Sequence, residues 1–118
     1  MSKKYFNRFK HAWRGISHAA INDFGYRTQL YLGVFIAIVV AILFKPLETW
    51  ELLFILLAWV LIVITELQNS ALEVTLNRLH PEQHEDIMHA KDMAAGAVLT
   101  AGTFLIIVLL SIGWERLM

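Results

Sequence analysis

Residues 52–73 read LLFILLAWVLIVITELQNSALE, and this stretch decides the fold. An uninterrupted apolar run, Leu52–Ile64, leads directly into a segment that carries Glu66, Asn69 and Glu73. Ionisable side chains at membrane depth are costly, and they persist mostly where they take part in chemistry or transport. We therefore expect a membrane-spanning helix here, with the function of the protein at its polar end.

The composition of the whole chain supports a membrane protein. Of its 118 residues, 58% are hydrophobic, whereas soluble domains are typically about 45–50% apolar. A spanning helix needs roughly 17–25 residues, so the run at 52–64 must continue into its polar end. We predict a single all-α integral membrane domain over residues 1–118. Its three spans are expected at about 28–44, 50–78 and 87–114.

The N-terminal residues predict a different kind of helix, at about 3–24. Aromatic and basic side chains fall on different faces of it at helical spacing. The aromatic set is Phe6, Phe9 and Trp13, and the basic set is Lys4, Arg8 and Arg14. Such a helix is typical of one that lies on a membrane surface, although it could also pack on protein. Asn22, Asp23 and Gly25 then predict a break before the first span.

The distribution of positive charge predicts the topology. Most Lys and Arg residues precede the first span or lie between the second and third spans, whereas Lys45 and Arg116 lie on the other side. The positive-inside rule then places the N-terminus in the cytoplasm and the C-terminus outside. Trp59 lies too deep in the second span to anchor it at the interface, and we expect it to pack against protein.

The polar residues after the second apolar run form one stripe. At 100° per residue, Glu66, Asn69, Ser70, Glu73 and Asn77 fall within about 100° of one another on a helix. The opposite face of that helix is apolar. One face of the second span therefore concentrates carboxylates and amides where the helix leaves the membrane.

Three further polar residues are expected at the same depth. Lys91 and Asp92 open the third span, and Asp23 precedes the first. Phosphoryl transfer needs carboxylates to hold Mg²⁺, a cation on the phosphates and a base for the attacking hydroxyl, and this set provides them. ATP could arrive from water and a lipid alcohol from the bilayer. The chain lacks the G-x-x-x-x-G-K-[ST] loop of soluble nucleotide sites.

Other interpretations of the stripe remain open at this point. Intramembrane Glu and Asn residues can hold helices together by hydrogen bonds, which would make the chain a structural or adaptor subunit. A small cation or drug transporter could also use an embedded glutamate. His80, His84 and His89 are close in sequence, but the chain has no cysteine, so we expect a solvated loop there with Pro81 rather than a metal site.

Four sequence segments resemble a known family. ELQNSALE at 66–73 followed by AKDMAAGAVL at 90–99 resembles the pattern E-x-x-N-[ST]-A-[IL]-E and A-K-D of the prokaryotic diacylglycerol kinase family. AWRGI at 12–16 and INDFGYR at 21–27 resemble its N-terminal segments. The resemblance implies a surface helix, three spans and a homotrimer in the bacterial inner membrane, with sites formed between subunits and no nucleic-acid partner.

The resemblance implies roles for the residues of the two long motifs. Glu66 would be the catalytic base, Glu73 would bind Mg²⁺, and Asn69 would support the nucleotide or the base. Lys91 and Asp92 would contact the phosphates and the sugar or base of ATP.

The remaining family positions concern the second Mg²⁺ ligand and the lipid. Asp23 stands where the family has a Glu, and its carboxylate would contact the metal and the nucleotide. Arg27, Gln29, Ala95 and Trp13 would contact the lipid, with Gln29 at a position where the family has an acid. The implied reaction transfers the ATP γ-phosphate to diacylglycerol, and undecaprenol is the alternative substrate.

Overall fold

The computed structural model describes residues 2–80, 82 and 84–118, and every regular element in that part of the chain is a helix. The helices are α1 (Ser2–Asn22), α2 (Phe24–Leu43), α3 (Thr49–Leu79) and α4 (Glu85–Leu117). The predicted all-α architecture with one N-terminal helix and three long apolar helices is confirmed. Pro81, expected in the loop after α3, lies outside the described residues.

The junction between α1 and α2 matches the predicted break but not the predicted start of the first span. Helix α1 ends at Asn22 and α2 begins at Phe24 rather than near residue 28, so Gly25 lies within the first turn of α2. Asp23 has an extended backbone, and its Oδ1 accepts a hydrogen bond from the Tyr26 amide at 2.9 Å. A carboxylate in this position satisfies a free N–H at the start of the helix. Asp23 therefore separates the two helices and also caps the second.

Helices α2, α3 and α4 are each long and apolar enough to cross a membrane. With 31 residues, α3 is about 46 Å long at 1.5 Å per residue. The hydrocarbon core of a bilayer is about 30 Å thick. One end of α3 can therefore stand outside the hydrocarbon, and Glu73 and Asn77 lie at that end.

Helices α3 and α4 form an antiparallel pair that holds most of the core. Their buried residues recur at intervals of three and four, so one face of each helix meets the other. These are Ile55, Ala58, Ile62, Ala101, Leu105, Val108 and Ile112, with Val40 of α2 completing the cluster. The members on α3 all precede Glu66 in the helix. The polar end of the pair contributes nothing to this core in the described chain.

Helix α2 packs on α3 through a close contact at Gly33. A Cβ atom on Gly33 would overlap the indole ring of Trp59, and the Trp59 Nε1–H points at the Gln29 carbonyl oxygen at 3.4 Å. The expectation that Trp59 packs against protein is confirmed. The absence of a side chain at Gly33 lets the two helices approach closely, as small residues commonly do in membrane bundles.

A buried ion pair joins α3 and α4 at the end remote from Glu66. The Arg116 guanidinium donates to both carboxylate oxygens of Glu51 and, at 2.6 Å, to the Pro46 carbonyl oxygen. The side chain of Glu51 is only 3% exposed. Sequence inspection used Arg116 only as a topology signal and missed this pair, because the partners are 65 residues apart.

Candidate active site

Glu66 and Asp23 meet at the start of α2. The Glu66 carboxylate occupies the space beside Gly25 where any other residue would carry its Cβ, and Asp23 Oδ1 lies 3.4 Å from the same point. Two acidic side chains from different parts of the sequence therefore share one small volume. Glu66 itself is half-buried, which limits access of water to its carboxylate.

Asp23 is held in its ionised form by its surroundings. Burial raises the pKa of Asp23, but hydrogen bonds from the Ser70 hydroxyl and the Tyr26 and Gly25 amides, together with the Arg27 charge, outweigh it. The net pKa lies below the ordinary aspartate value. Asp23 is therefore a carboxylate at neutral pH, as a metal ligand must be.

The α3 stripe continues from Glu66 towards the end of the helix. Asn69 is half-buried, and its Oδ1 is fully covered without a hydrogen-bond partner among the described residues. Such an atom is costly unless a donor reaches it. Glu73 lies two turns beyond Glu66 and is exposed. The negative charges of Glu73 and Asp23 both lie close enough to repel the Glu66 carboxylate.

At the far end of the stripe, α3 and α4 meet through a polar contact. The Lys91 Nζ donates to Asn77 Oδ1 at 2.5 Å. The two residues line a cavity of about 360 Å³ together with residues of the α3–α4 connection. Asp92 follows Lys91 on α4 and is exposed.

Within one chain, the predicted nucleotide-site residues divide between two places. Asp23 and Glu66 lie at the α2–α3 contact, whereas Lys91 lies at the α3–α4 contact about 16 Å along α3, at 1.5 Å per residue. The backbone of α4 approaches that of α3 but, in the described residues, not that of α1 or α2. The polar stripe of α3 runs from the first place to the second.

The four residues expected at the lipid are not gathered together. Arg27 turns back and donates from Nη1 to the Ile21 carbonyl oxygen of α1 at 2.9 Å. Gln29 is half-buried beside Trp59, while Trp13 on α1 and Ala95 on α4 are both exposed. Their assignment to the lipid stays a prediction.

The oxygen donors present suit Mg²⁺ better than a softer metal. The described residues contain no group of three or more His, Asp or Glu side chains placed to hold a metal ion by themselves. Mg²⁺ is usually held by one or two carboxylates and by the phosphates of a substrate. Asp23 provides an ionised carboxylate next to Glu66, and the same stripe of α3 carries Glu73. Asp23 and Glu73 therefore fit that pattern.

Gly25 was missed as a site residue by sequence reasoning, which took it for a turn former. Its role depends on the crossing of α2 and α3, which places the Glu66 carboxylate against its Cα. Ser70 was noticed as part of the stripe, but its contact with Asp23 was not. No local pattern reports either contact.

Comparison with known proteins shows to which family the chain belongs. Residues 10–112 match the family described as prokaryotic diacylglycerol kinase. A protein of Synechocystis sp. named diacylglycerol kinase is 36% identical over 101 residues, which are 85% of this chain and 57% of that protein. Proteins of the same name from Escherichia coli and Shigella flexneri are 33% identical over 91 residues, 77% of this chain and 73% of each relative.

The match covers the helices that carry the candidate site. It extends from the middle of α1 to near the end of α4, and it contains every residue from Asp23 to Asp92 discussed above. The chain spans less than two thirds of the Synechocystis relative. The extent of the match and its level of identity show that the chain belongs to the prokaryotic diacylglycerol kinase family.

Proposed function

We propose that this protein is a membrane lipid kinase that transfers the γ-phosphate of ATP to diacylglycerol, giving phosphatidic acid. The observation that carries the proposal is the meeting of Glu66 and Asp23 over Gly25, where an apolar span becomes polar. A lipid hydroxyl can reach this place from the bilayer and ATP from water. Family membership favours this activity over the transporter and adaptor interpretations.

Glu66 is proposed as the general base. Its carboxylate would accept the proton of the lipid hydroxyl while the hydroxyl oxygen bonds to the γ-phosphorus. The bond from the γ-phosphorus to the bridging oxygen breaks, and ADP leaves. A half-buried carboxylate suits this role, because a base surrounded by water would also activate water and waste ATP.

Asp23 and Glu73 are proposed to hold Mg²⁺. Bound there, the ion would supply positive charge against the triphosphate. Asp23 is one methylene shorter than the Glu of the family pattern, but its place as the cap of α2 fixes the carboxylate beside Glu66. A short, restrained side chain can therefore serve where the family uses a longer one.

Asn69, Lys91 and Asp92 are proposed to bind the nucleotide. Asn69 Oδ1 has no hydrogen-bond partner among the described residues, so it can accept a hydrogen bond. Lys91 supplies positive charge for the phosphates, and Asp92 is exposed and can reach the sugar or base. The lipid is proposed to lie against Arg27, Gln29, Ala95 and Trp13. These residues lie on α1, α2 and α4, so a lipid that contacts all of them would have to span more than one helix.

We propose a homotrimer with sites shared between subunits, in the bacterial inner membrane with the N-terminus cytoplasmic and the C-terminus outside. Two features support sharing of the sites. Residues proposed for one site lie on α2 and α4, whose backbones do not approach each other in the described chain. Small, exposed residues at Ala95 and Ala97 of α4 allow close approach of another helix.

A lipid panel tests the proposed reaction. The purified full-length protein in detergent micelles receives ATP and Mg²⁺ with diacylglycerol, with undecaprenol or without a lipid alcohol. We expect phosphatidic acid and matching ADP release with diacylglycerol and little ADP without lipid. Preferential phosphorylation of undecaprenol would refute the proposed substrate, and lipid-independent ion flux without phosphorylation would refute the kinase itself.

A further inference from the structure

The proposed reaction gives Asn77 no task, yet Asn77 makes a polar contact between α3 and α4 at the end of α3 that carries the stripe. Its Oδ1 accepts a hydrogen bond from Lys91 Nζ at 2.5 Å across 14 residues of sequence. Asn77 lies one helical turn after Glu73 on the same face of α3. The hydrogen bond therefore places the Lys91 ammonium beside the face of α3 that carries Glu66 and Glu73.

Lys91 has acidic neighbours that could bind its ammonium in place of Asn77. Glu82 and Glu85 line the same cavity of about 360 Å³. An ammonium on a flexible four-carbon stem would readily turn towards either acid. Lys91 forms no ion pair with a carboxylate in the described part of the chain. The acceptor on Asn77 thus directs Lys91 to α3 rather than to Glu82 or Glu85.

The chemistry of the pair leaves Lys91 able to bind a phosphate. An ammonium has three N–H donors, and Asn77 uses one of them. The amide is uncharged, so the positive charge of Lys91 is not neutralised by its partner. A lysine held in place by a neutral acceptor loses less side-chain freedom when an anion arrives, which lowers the cost of binding.

We propose that Asn77 is a positioning residue that holds the Lys91 ammonium in register with the stripe for the phosphates of ATP. This proposal rests on the proposed function, because it takes Lys91 as the phosphate contact. It assigns no contact with substrate to Asn77 itself. The effect of Asn77 on nucleotide affinity should therefore pass entirely through Lys91.

A double-mutant cycle tests that dependence. Binding of a non-hydrolysable ATP analogue with Mg²⁺ is measured calorimetrically on the full chain in micelles for wild type, Asn77→Ala, Lys91→Ala and the double variant. We expect Asn77→Ala to weaken binding about tenfold in the wild-type background and less than twofold in the Lys91→Ala background. Equal weakening in both backgrounds, or none in either, would overturn the proposal.

Two further variants separate positioning from general damage. Asn77→Gln keeps an uncharged amide acceptor, and it should restore the dissociation constant to within about threefold of wild type. Gln68→Ala removes an exposed amide from the opposite face of α3 and should leave binding unchanged. Loss of affinity in Asn77→Gln as severe as in Asn77→Ala would contradict a role for the acceptor.

Turnover distinguishes failure of this proposal from failure of the kinase assignment. With diacylglycerol as substrate, Asn77→Ala should raise the KM for ATP about tenfold and change the KM for the lipid less than twofold. If wild type phosphorylates the lipid but Asn77→Ala has an unchanged KM for ATP, only the positioning role fails. If wild type phosphorylates no lipid alcohol, the kinase assignment fails, and the binding cycle still reports on the Asn77–Lys91 link.

Discussion

At the scale of single residues, the site depends on an absent side chain. Gly25 leaves room for the Glu66 carboxylate next to Asp23, so a base and a candidate metal ligand come from different helices. The two acids were predictable from the sequence, because charged residues beside an apolar run attract attention by their cost. Gly25 was not predictable, because its role depends on where α3 crosses α2.

Replacing Glu66 by Gln tests its role as base. The amide keeps the size of the side chain but cannot accept the hydroxyl proton, so kcat should fall by about 10²–10⁴-fold. Binding of a non-hydrolysable ATP analogue should change little. Glu115→Gln is the control, because Glu115 is exposed and lies near the C-terminal end of α4. Full turnover by Glu66→Gln would remove Glu66 from the role.

Filling the space at Gly25 tests the geometry around Glu66. Gly25→Val would displace the Glu66 carboxylate, and a misplacement of about 1 Å can cost roughly 10²-fold in rate. We expect kcat with diacylglycerol to fall by that order while the melting temperature changes little. Gly113→Val, where a Cβ meets no atom within 4 Å, controls for the added volume. An unchanged kcat in Gly25→Val would show that the close approach is dispensable.

At the scale of the helices, the sequence predicted which kind of helix each segment forms better than it predicted where that helix begins. Apolar length predicted three long apolar helices, and the turn-forming residues predicted the break at Asp23, but α2 begins four residues earlier than expected. Asn, Asp and Gly favour turns, and the same Asp is a strong helix cap. The structure uses both properties, since Asp23 separates α1 from α2 and its side chain bonds to the Tyr26 amide. Capping also fixes the direction of that carboxylate.

The contact between α2 and α3 should be sensitive to volume at Gly33. A valine there would overlap the Trp59 indole, and overpacking of this kind typically costs about 1–3 kcal/mol. We expect a lower melting temperature for Gly33→Val by circular dichroism in micelles, again with Gly113→Val as the control. A melting temperature equal to that of wild type would mean that the two helices separate without cost.

At the scale of the whole molecule, the ends of the bundle differ. Branched and small apolar residues fill the half remote from the polar stripe, and the Glu51–Arg116 pair closes that half. Apolar length predicted helices α3 and α4, but no prediction was made of which of their faces would be buried. The pairing of Glu51 with Arg116 needed the three-dimensional arrangement, because sequence separation carries no signal for it.

The Glu51–Arg116 pair should behave as one unit. Removing either partner leaves the other charge without its counterpart, which destabilises a buried site. We expect Glu51→Gln and Arg116→Gln each to lower the melting temperature, and the double variant to fall no further than the worse single variant. Additive losses would indicate that the two side chains contribute independently. Lipid phosphorylation at low temperature should persist, since the pair is remote from Glu66.

Shared sites can be tested by mixing subunits. Glu66→Gln and Lys91→Ala protomers should each be weak or inactive alone. If one site uses Glu66 and Lys91 from different subunits, unfolding and refolding the two variants together should restore part of the activity. If both residues act from the same chain, the mixture should stay as inactive as its components.

The tie between the start of α3 and the end of α4 has a practical consequence. Because Arg116 binds Glu51 and Pro46 at one end, and the apolar face between the two helices is continuous, the covalent link through residues 80–84 is not the only restraint on their pairing. His80, Glu82 and His84 of this link are exposed, and exposed connections are the preferred places for dividing a chain. Two co-expressed fragments divided there should find each other in the bilayer, and a genetically split version could report on assembly in living cells.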